Sequence, residues 1–572
     1  MNETMTSRAA LRAWEDGKPD NFFTADTNLQ YVLRRYLGDT AYHAAEAHFI
    51  QTGGVCAADL DAAAKDEDLI GNHPRLNRWS GIGERTEQIE FHPNHDVIGR
   101  AAWATGLLAV QAEPGHIVEQ LGHYYLLAHN GENGHMCSIT CTAGAVRALQ
   151  AFADDAIKAK FLPPLLDANF DTMQHAAQFL TELQGGSDVG ANAVTALPNG
   201  DGTWRINGEK WFCSNINADQ FIITARPLDA PGGTKGLGLF LVPRLLENGE
   251  TNGFYLRRLK EKLGTRTLAS AELDFVDALA YPVGDLGRGF KNMVEAVLNT
   301  SRLMNAVACA AAIRRSAIEA GSYACSREAF GNPIASYPLV QETYADIAAE
   351  AYAATASCFA LAHLIDRIDT GQGDEDDIAT HRLLVNINKY ITSIRATDAV
   401  HQAIEVLGGN GAIETFSILP RLYRDMIVFE SWEGSHNVLC LQVLRDITRY
   451  QIHEPFFRFV GAQLDTVKDA RLEADAAQVR AALEACGRLL VRMVAHDQRY
   501  AEAHSRRMAD LFGYTAQAAL LLAEAQWELD QGLPTPKPDI ITHFVNRHLR
   551  PGYDPLDDAG YLARIERLMA AV

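Results

Sequence analysis

The sequence predicts an α+β protein of four consecutive blocks. A helical block covers residues 1–172, a small β block 173–284, a four-helix bundle 285–450 and a helical appendix 451–572. Three observations carry this reading. Ala-rich segments with apolar residues at helical spacing fill the first block. Between Phe170 and about Val283 short alternating runs separated by glycine turns replace them. Helical spacing then returns after Gly284-Asp-Leu-Gly-Arg-Gly-Phe290 and persists to the C-terminal end.

In the first block, Ala101 to Val110 and Ala143 to Phe152 show the helical pattern, and Pro163-Pro164 marks a break near its end. In the second, Thr203–Asn207 and Lys210–Ser214 flank Gly208-Glu209, followed by Gln220–Ala225, Leu237–Val242 and Ala271–Phe275. Asn199-Gly200, Asp201-Gly202 and Pro231-Gly-Gly233 supply turns. Short runs at close spacing suggest a small barrel or sandwich rather than a βαβ sheet. Residues 290–325, 338–368, 374–408 and 434–450 give the four long helices of a bundle. Pro534 to Pro538 is a stiff loop in the appendix. Shaping a pocket, joining subunits and binding a partner are all open roles for the appendix, with subunit contact the expected one.

A chain of 572 residues with 47% hydrophobic and 22% charged content has the composition of a globular protein. The formal net charge of −21 disfavours nucleic acid and anionic membranes as partners. Nine scattered cysteines form no C-x-x-C pair and no zinc-spaced His/Cys cluster, so no metal is expected. The first residues, Met-Asn-Glu-Thr-Met-Thr-Ser-Arg, lack a signal peptide's apolar core, and no stretch reads as long enough to cross a bilayer, Ala516–Ala523 being soon interrupted by Glu524 and Gln526. A cytoplasmic location is expected.

The chemistry is placed at Glu430-Ser-Trp-Glu-Gly-Ser-His-Asn437. Glu433 stands between the bulky Trp432 and the flexible Gly434, with Ser435 and Asn437 following, at a loop-to-helix junction. Partial desolvation there suits a general base, although a solvated acid at a helix N-terminus explains the same residues. Four further stretches are individually nonspecific. Gln178-Phe-Leu-Thr-Glu-Leu-Gln-Gly-Gly-Ser-Asp-Val189 offers a glycine pair beside Thr181 and Ser187, able to meet a flat heterocycle or a phosphate, or to be a plain turn. Glu209-Lys-Trp-Phe-Cys-Ser-Asn215 ends a strand with the ring of Phe212 and the hydroxyl of Ser214. Arg327-Glu-Ala-Phe-Gly-Asn-Pro333, with Gln341 beyond, is an arginine at a helix end suited to pyrophosphate or to the surface. Glu405-Val-Leu-Gly-Gly-Asn-Gly411 lets backbone approach a nucleotide, or caps a helix.

Taken in order before Trp432-Glu-Gly-Ser435, these stretches resemble the acyl-CoA dehydrogenase family of flavoenzymes, over roughly residues 90–450. The resemblance implies an N-terminal helical domain, a middle β domain, a C-terminal four-helix bundle and FAD. Gln178, Leu180, Thr181 and Gly186 would line the flavin. Thr181 would bond the pyrimidine end of its ring, and Ser187 would face flavin or substrate. Phe212 would lie against the ring where many members have Trp, with Ser214 near N5. Arg327, Phe330 and Gln341 would hold the pyrophosphate and adenosine of FAD in a neighbouring subunit, together with Glu405, Gly408 and Gly409. Ser435 and Asn437 would contact FAD as well. Glu433 falls on the family's base. Ser301, where other branches carry it, cannot serve. Asn299, Arg302 and Gly434 would lie near the acyl-CoA substrate.

The resemblance further implies a homodimer or homotetramer, a role in fatty acid metabolism and an electron-transfer flavoprotein as acceptor. Arg85-Thr-Glu-Gln-Ile-Glu-Phe-His-Pro-Asn-His95, Cys137-Ser-Ile-Thr140 and Arg421-Leu-Tyr-Arg-Asp-Met426 are similar to the bacterial alkylation-response (adaptive response) branch. Two alternatives stand beside acyl-CoA dehydrogenation. One is a flavin oxidase of the same fold using O2, although nitroalkane oxidases carry Asp where this chain has Glu433. The other is a non-enzymatic DNA-associated flavoprotein, against which the acidic appendix and net charge count.

Overall fold

The computed structural model describes residues 2–571, with side chains from residue 8, so the N-terminal octet read for a leader lies largely outside the described side chains. The chain opens with α1 (Asn2–Asp16), α2 (Thr27–Leu37) and α3 (Asp39–Val55), then a π-helical turn leading to α4 (Asp61–Glu67). A hairpin, β1 (Arg75–Trp79) and β2 (Arg85–Glu90), interrupts the helices. Then come α5 (Pro93–Ala104), α6 (Ile117–Ala128), α7 (Asn133–Phe152) and α8 (Asp155–Leu165). The proline pair lies inside the last turn of α8, and the helix stops directly afterwards.

The middle strands are β3 (Ala176–Phe179), β4 (Thr195–Pro198), β5 (Trp204–Ser214), β6 (Gln220–Pro227), β7 (Gly238–Pro243), β8 (Phe254–Leu259) and β9 (Ser270–Pro282). Pairings β6–β4, β4–β5, β5–β9, β9–β7 and β7–β6 close a small barrel, to which β3 adds along β6 and β8 along β9. Phe179, Phe221, Phe240, Phe254 and Leu273 are among the residues that fill its core. The two runs expected to flank Gly208-Glu209 are one strand. The ladder with β9 shifts register between Ile206 and Gly208, and Gly208 takes φ +130°. A Cβ there would lie 3.0 Å from the Val194 backbone, so the position is a glycine bulge, not a turn.

Beyond α9 (Gly289–Asn292) run α10 (Asn299–Ser326), the short hairpin β10 (Glu328–Ala329) and β11 (Asn332–Pro333), α11 (Pro338–Asp369) and α12 (Glu375–Leu407). Next are α13 (Leu419–Ser431) and α14 (His436–Tyr450). The appendix holds α15 (His453–Asp465), α16 (Glu473–Val494), α17 (Gln498–Asp530), α18 (Lys537–His548) and α19 (Tyr561–Met569).

The chain forms two compact units. One gathers the chain up to Ala58, Ile117–Gly131 and everything from Asn305 onward; the other holds Asp59–His116 and Glu132–Met304. Within the first unit the appendix is part of the core. Phe512 stacks on Phe456 at 4.8 Å, the Tyr390 hydroxyl donates to Asp510 at 2.7 Å, and His543 and His548 pair with Asp346 and Glu350 of α11 at 2.8 and 2.7 Å. The expectation that no stretch has the length and hydropathy of a membrane span is corrected. Leu286–Ser326 and Pro338–Asp369 both have them, and 83% and 89% of those windows is buried inside the protein, as core helices require.

Candidate active site

Glu433 sits in the turn that joins α13 to α14. Trp432 leaves the helix in extended geometry, Glu433 takes a left-handed φ of +58°, Gly434 takes +113°, and Ser435 restarts the chain as the N-cap of α14. A non-glycine residue in the left-handed region costs roughly 1–2 kcal/mol, so the surrounding structure must hold it there. The expected junction is present, but the carboxylate precedes α14 instead of lying in its first turn. Trp432 stacks on Phe429 at 4.8 Å, and Glu433 is half-buried. The turn rests on α12. Fully buried Lys389 donates from Nζ to the Glu430 carbonyl at 2.8 Å and the Gly434 carbonyl at 3.2 Å. Thr397 donates to the Glu430 carboxylate, and Ser393 meets His436 Nε2 at 3.4 Å. Burial, then Lys389 and Arg506, push His436 down to about 4, so its ring is neutral near pH 7. Asn437 Oδ1 accepts from Arg506 of α17 at 2.6 Å, and Ser435 is exposed.

In the second unit, the predicted flavin-facing residues gather where β3 leaves the barrel beside β5. The Trp211 N–H donates to the Thr181 carbonyl at 3.0 Å, which sets Thr181 next to Phe212. A Cβ at Gly186 would lie 2.6 Å from the Thr181 hydroxyl oxygen, so only glycine leaves that hydroxyl in place. Ser187 is exposed, and the Phe212 ring is 53% exposed, with Lys260 Nζ 4.7 Å from its centroid. The Ser214 and Ser270 hydroxyls lie 2.9 Å apart, and Lys262 donates to Ser270 at 3.0 Å. Gln178 bonds the buried Ser301 hydroxyl at 3.1 Å, and the Leu180 carbonyl accepts from Asn192 at 2.7 Å. Arg302, buried, donates to Asn299 at 3.2 Å. Three hydroxyls, a bare glycine and an open aromatic face match the donor set that a flat, hydrogen-bonding heterocycle such as isoalloxazine needs.

A third group stands apart from the Glu433 turn within the first unit. Phe330, at φ +53°, tops the β10–β11 hairpin and is 96% exposed, and Arg327 beside it is exposed too. Gln341 bonds the Ala335 carbonyl at 3.0 Å. The Gly408–Ala412 turn, carrying Gly408 and Gly409 after the exposed Glu405, meets the same end of α10, since Asn410 donates to the Tyr323 hydroxyl at 3.1 Å. Along α12, Gly408 lies roughly 28 Å from Lys389 and so from the Glu433 turn.

Sequence reasoning missed Lys389, whose only signal is a single cation among the apolar and uncharged polar residues of Leu383–Ile394. It also missed a buried cluster. Glu67, His95 and Glu132 bring ligand-type atoms within 4.8 Å of one another, where no metal was expected. Hydrogen bonds account for most of it. His95 Nδ1 meets Glu67 at 3.0 Å, while Glu132 caps α7 at the His135 N–H and accepts from Thr267 at 3.0 Å.

Comparison with known proteins identifies the family and the fold. Residues 15–172 match the adaptive response protein AidB N-terminal domain, 177–278 the acyl-CoA dehydrogenase middle domain and 287–448 its C-terminal domain. AidB of Escherichia coli is 34% identical over 391 residues, covering 66% of this chain and 70% of that protein. Acyl-CoA dehydrogenase family member 11 of Caenorhabditis elegans is 29% identical, over 82% and 78% of the two chains. The crystal structure of that protein, ACDH-11, in complex with C11-CoA superposes with a TM-score of 0.85 at 27% identity, covering 95% of this chain and 93% of that one. An acyl-CoA dehydrogenase complexed with FAD from Bacillus anthracis shares the fold, with a TM-score of 0.67 at 21% identity over 83% and 89% of the chains. The chain belongs to the acyl-CoA dehydrogenase family, in its AidB-like branch, and is an FAD-dependent oxidoreductase acting on acyl-CoA.

Proposed function

We propose that this enzyme desaturates an acyl-CoA thioester to the 2-enoyl-CoA, with Glu433 as the base. The observation that carries the reading is the half-buried Glu433 carboxylate, held in left-handed geometry at a turn between two helix ends. A thioester α-proton is too weakly acidic for a free carboxylate, so the developing enolate needs hydrogen-bond donors at its oxygen. The backbone N–H of Glu433 is one such donor. Glu433 takes the α-hydrogen as a proton, and the electron pair it leaves forms the double bond to the β-carbon. Bound FAD supplies the acceptor for the β-hydrogen, which departs as hydride.

Thr181, Ser187, Phe212 and Ser214, with Gln178, Leu180 and Gly186, orient the flavin ring. Asn299, Arg302 and Gly434 attend the thioester and CoA, and Ser435 and Asn437 add cofactor contacts. Arg327, Phe330, Gln341, Glu405, Gly408 and Gly409 serve the adenosine and pyrophosphate of FAD in a neighbouring subunit, so the working unit is a homodimer or homotetramer. The exposed Phe330 hairpin and its separation from Glu433 support that division. The C11-CoA held by ACDH-11 supports an acyl-CoA ligand here. An electron-transfer flavoprotein is the acceptor, the role is in fatty acid metabolism and the location is cytoplasmic.

The test is anaerobic titration of the purified flavoprotein with acyl-CoAs of graded length. Loss of flavin absorbance with one length class is expected. Oxygen consumption without added acceptor would point to an oxidase. Salt-sensitive DNA retention with no bleaching by any thioester would overturn the reading.

A further inference from the structure

We propose that Lys389 is the positioning residue of the catalytic turn: its buried ammonium holds Glu433 in place by clamping the backbone on both sides of it. This rests on Glu433 as the base.

The last turn of α13 leaves carbonyls without helical partners, as any helix end does. Three carbonyls at this end have a donor. The Val428 carbonyl takes the Trp432 N–H at 3.2 Å, the Phe429 carbonyl takes Asn305 Nδ2 at 3.3 Å, and the Glu430 carbonyl takes Lys389 Nζ at 2.8 Å. The same ammonium reaches past Glu433 to the Gly434 carbonyl at 3.2 Å. One cation therefore bonds the chain three residues before the base and one residue after it. The two residues with positive φ in this turn, Glu433 at +58° and Gly434 at +113°, fall within that span. An ammonium at a helix C-terminus is electrostatically favoured, and at 0% exposure it is shielded from competing water.

Lys389, Ser393 and Thr397 recur every four residues along α12, so they form one stripe under the turn. Ser393 meets His436 at 3.4 Å, and Thr397 donates to the Glu430 carboxylate. Methionine fills the volume of Lys389 without its hydrogen bonds. Sharing one buried cation between the two backbone carbonyls that flank Glu433 fixes the course of the chain there, which a base that must meet a substrate carbon at a set angle requires.

The experiment compares wild type, K389M, K389R and E433Q as FAD-loaded full-length protein. The readouts are FAD content, hydrogen–deuterium exchange over residues 430–437 without substrate, substrate KM, and the anaerobic rate of flavin reduction by a saturating acyl-CoA that bleaches the wild type. Misplacement on the ångström scale costs on the order of 10²-fold in rate. K389M is therefore expected to keep FAD, raise exchange across 430–437, leave KM within about threefold and slow reduction about 10²-fold. K389R, which restores the charge with a different reach, is expected to recover about tenfold of that loss. Wild-type reduction in K389M beside a slow E433Q overturns the assignment of Lys389. So does a loss that appears only as raised KM or lost FAD, or one that K389R does not relieve. A wild-type rate in E433Q instead marks failure of the base assignment, and exchange over 430–437 then decides the clamp alone. If K389M does not fold, K389R decides: raised exchange over 430–437 without slower reduction overturns the proposal.

Discussion

Replacing Lys537 with methionine tests how deeply the appendix is built into the protein. Lys537 Nζ lies 2.7 Å from Glu524 and 2.6 Å from Glu528, with all three side chains at most 2% exposed. The Tyr36 hydroxyl, from the N-terminal block, reaches the same Glu524 at 3.4 Å. Removing the ammonium leaves two carboxylates buried side by side, and breaking a buried pair costs about 3–5 kcal/mol. For a unit of about 340 residues that lowers the melting temperature by roughly 4–7 °C. Burial holds the Glu524 carboxyl above its ordinary value, and Lys537 is the main influence opposing it. The variant therefore raises that carboxyl further. A carboxyl that protonates more readily folded than unfolded stabilises the fold as pH falls, so the deficit narrows between pH 8 and pH 5.5. Converting both glutamates to glutamine in the K537M background should recover most of the loss. Thermal melts of the three proteins at two pH values decide it. A K537M melt within 2 °C of wild type (against the roughly 4–7 °C expected), or no recovery in the triple variant, would refute the reasoning.

Three further outcomes follow from the same geometry. Gly513→Ala puts a methyl 2.1 Å from Ile391 Cδ1 and 2.7 Å from Ile387 Cγ2, where α17 meets α12, and should destabilise by about 1–3 kcal/mol in chemical denaturation. Glu182→Gln strips the carboxylate from Lys210, its fully buried partner at 2.8 Å, and should cost about 3–5 kcal/mol in the same assay, whereas an exposed pair would cost under 1. Burial, the largest cause in each case, holds His95, His123 and His135 at about 3 and His129 at about 4. These rings bind fewer protons folded than unfolded between those values and 6.5. Stability should thus fall as pH drops below 6.5, by up to about 1.4 kcal/mol per pH unit for each. Melting temperatures that stay flat from pH 7.5 to 5.5 would contradict this.

The order of helical and β blocks was legible because period in sequence reports which side faces a core. Where the rule failed, the cause is local. Gly208-Glu209 looks like a hairpin turn, but the strand carries on through a bulge, a feature set by the neighbouring β9 and Val194. β1 and β2 were lost inside a helical block because their faces are mostly exposed and carry little alternation. Helix α13 was not among the four expected helices, although Pro420 occupies its first turn, where proline is tolerated. At the site, Thr181 and Gly186 were singled out in one stretch and Phe212 in another, and what sets Thr181 beside Phe212 is the bond from the Trp211 N–H of β5 to the chain just past β3. Nothing near Glu433 in sequence reveals Lys389, which is brought beneath it by the pairing of two helices, or the ties from Arg506, His543 and His548 that bind the appendix to the bundle.

The most direct test of the account is the Glu433→Gln variant, followed by anaerobic stopped-flow reduction of its flavin by an acyl-CoA that bleaches the wild type. Glutamine keeps the shape of the side chain and removes the base. The account predicts FAD content and melting temperature like the wild type, retained thioester binding, and reduction slowed by roughly 10²-fold or more. Flavin reduction at the wild-type rate would show that another group takes the proton.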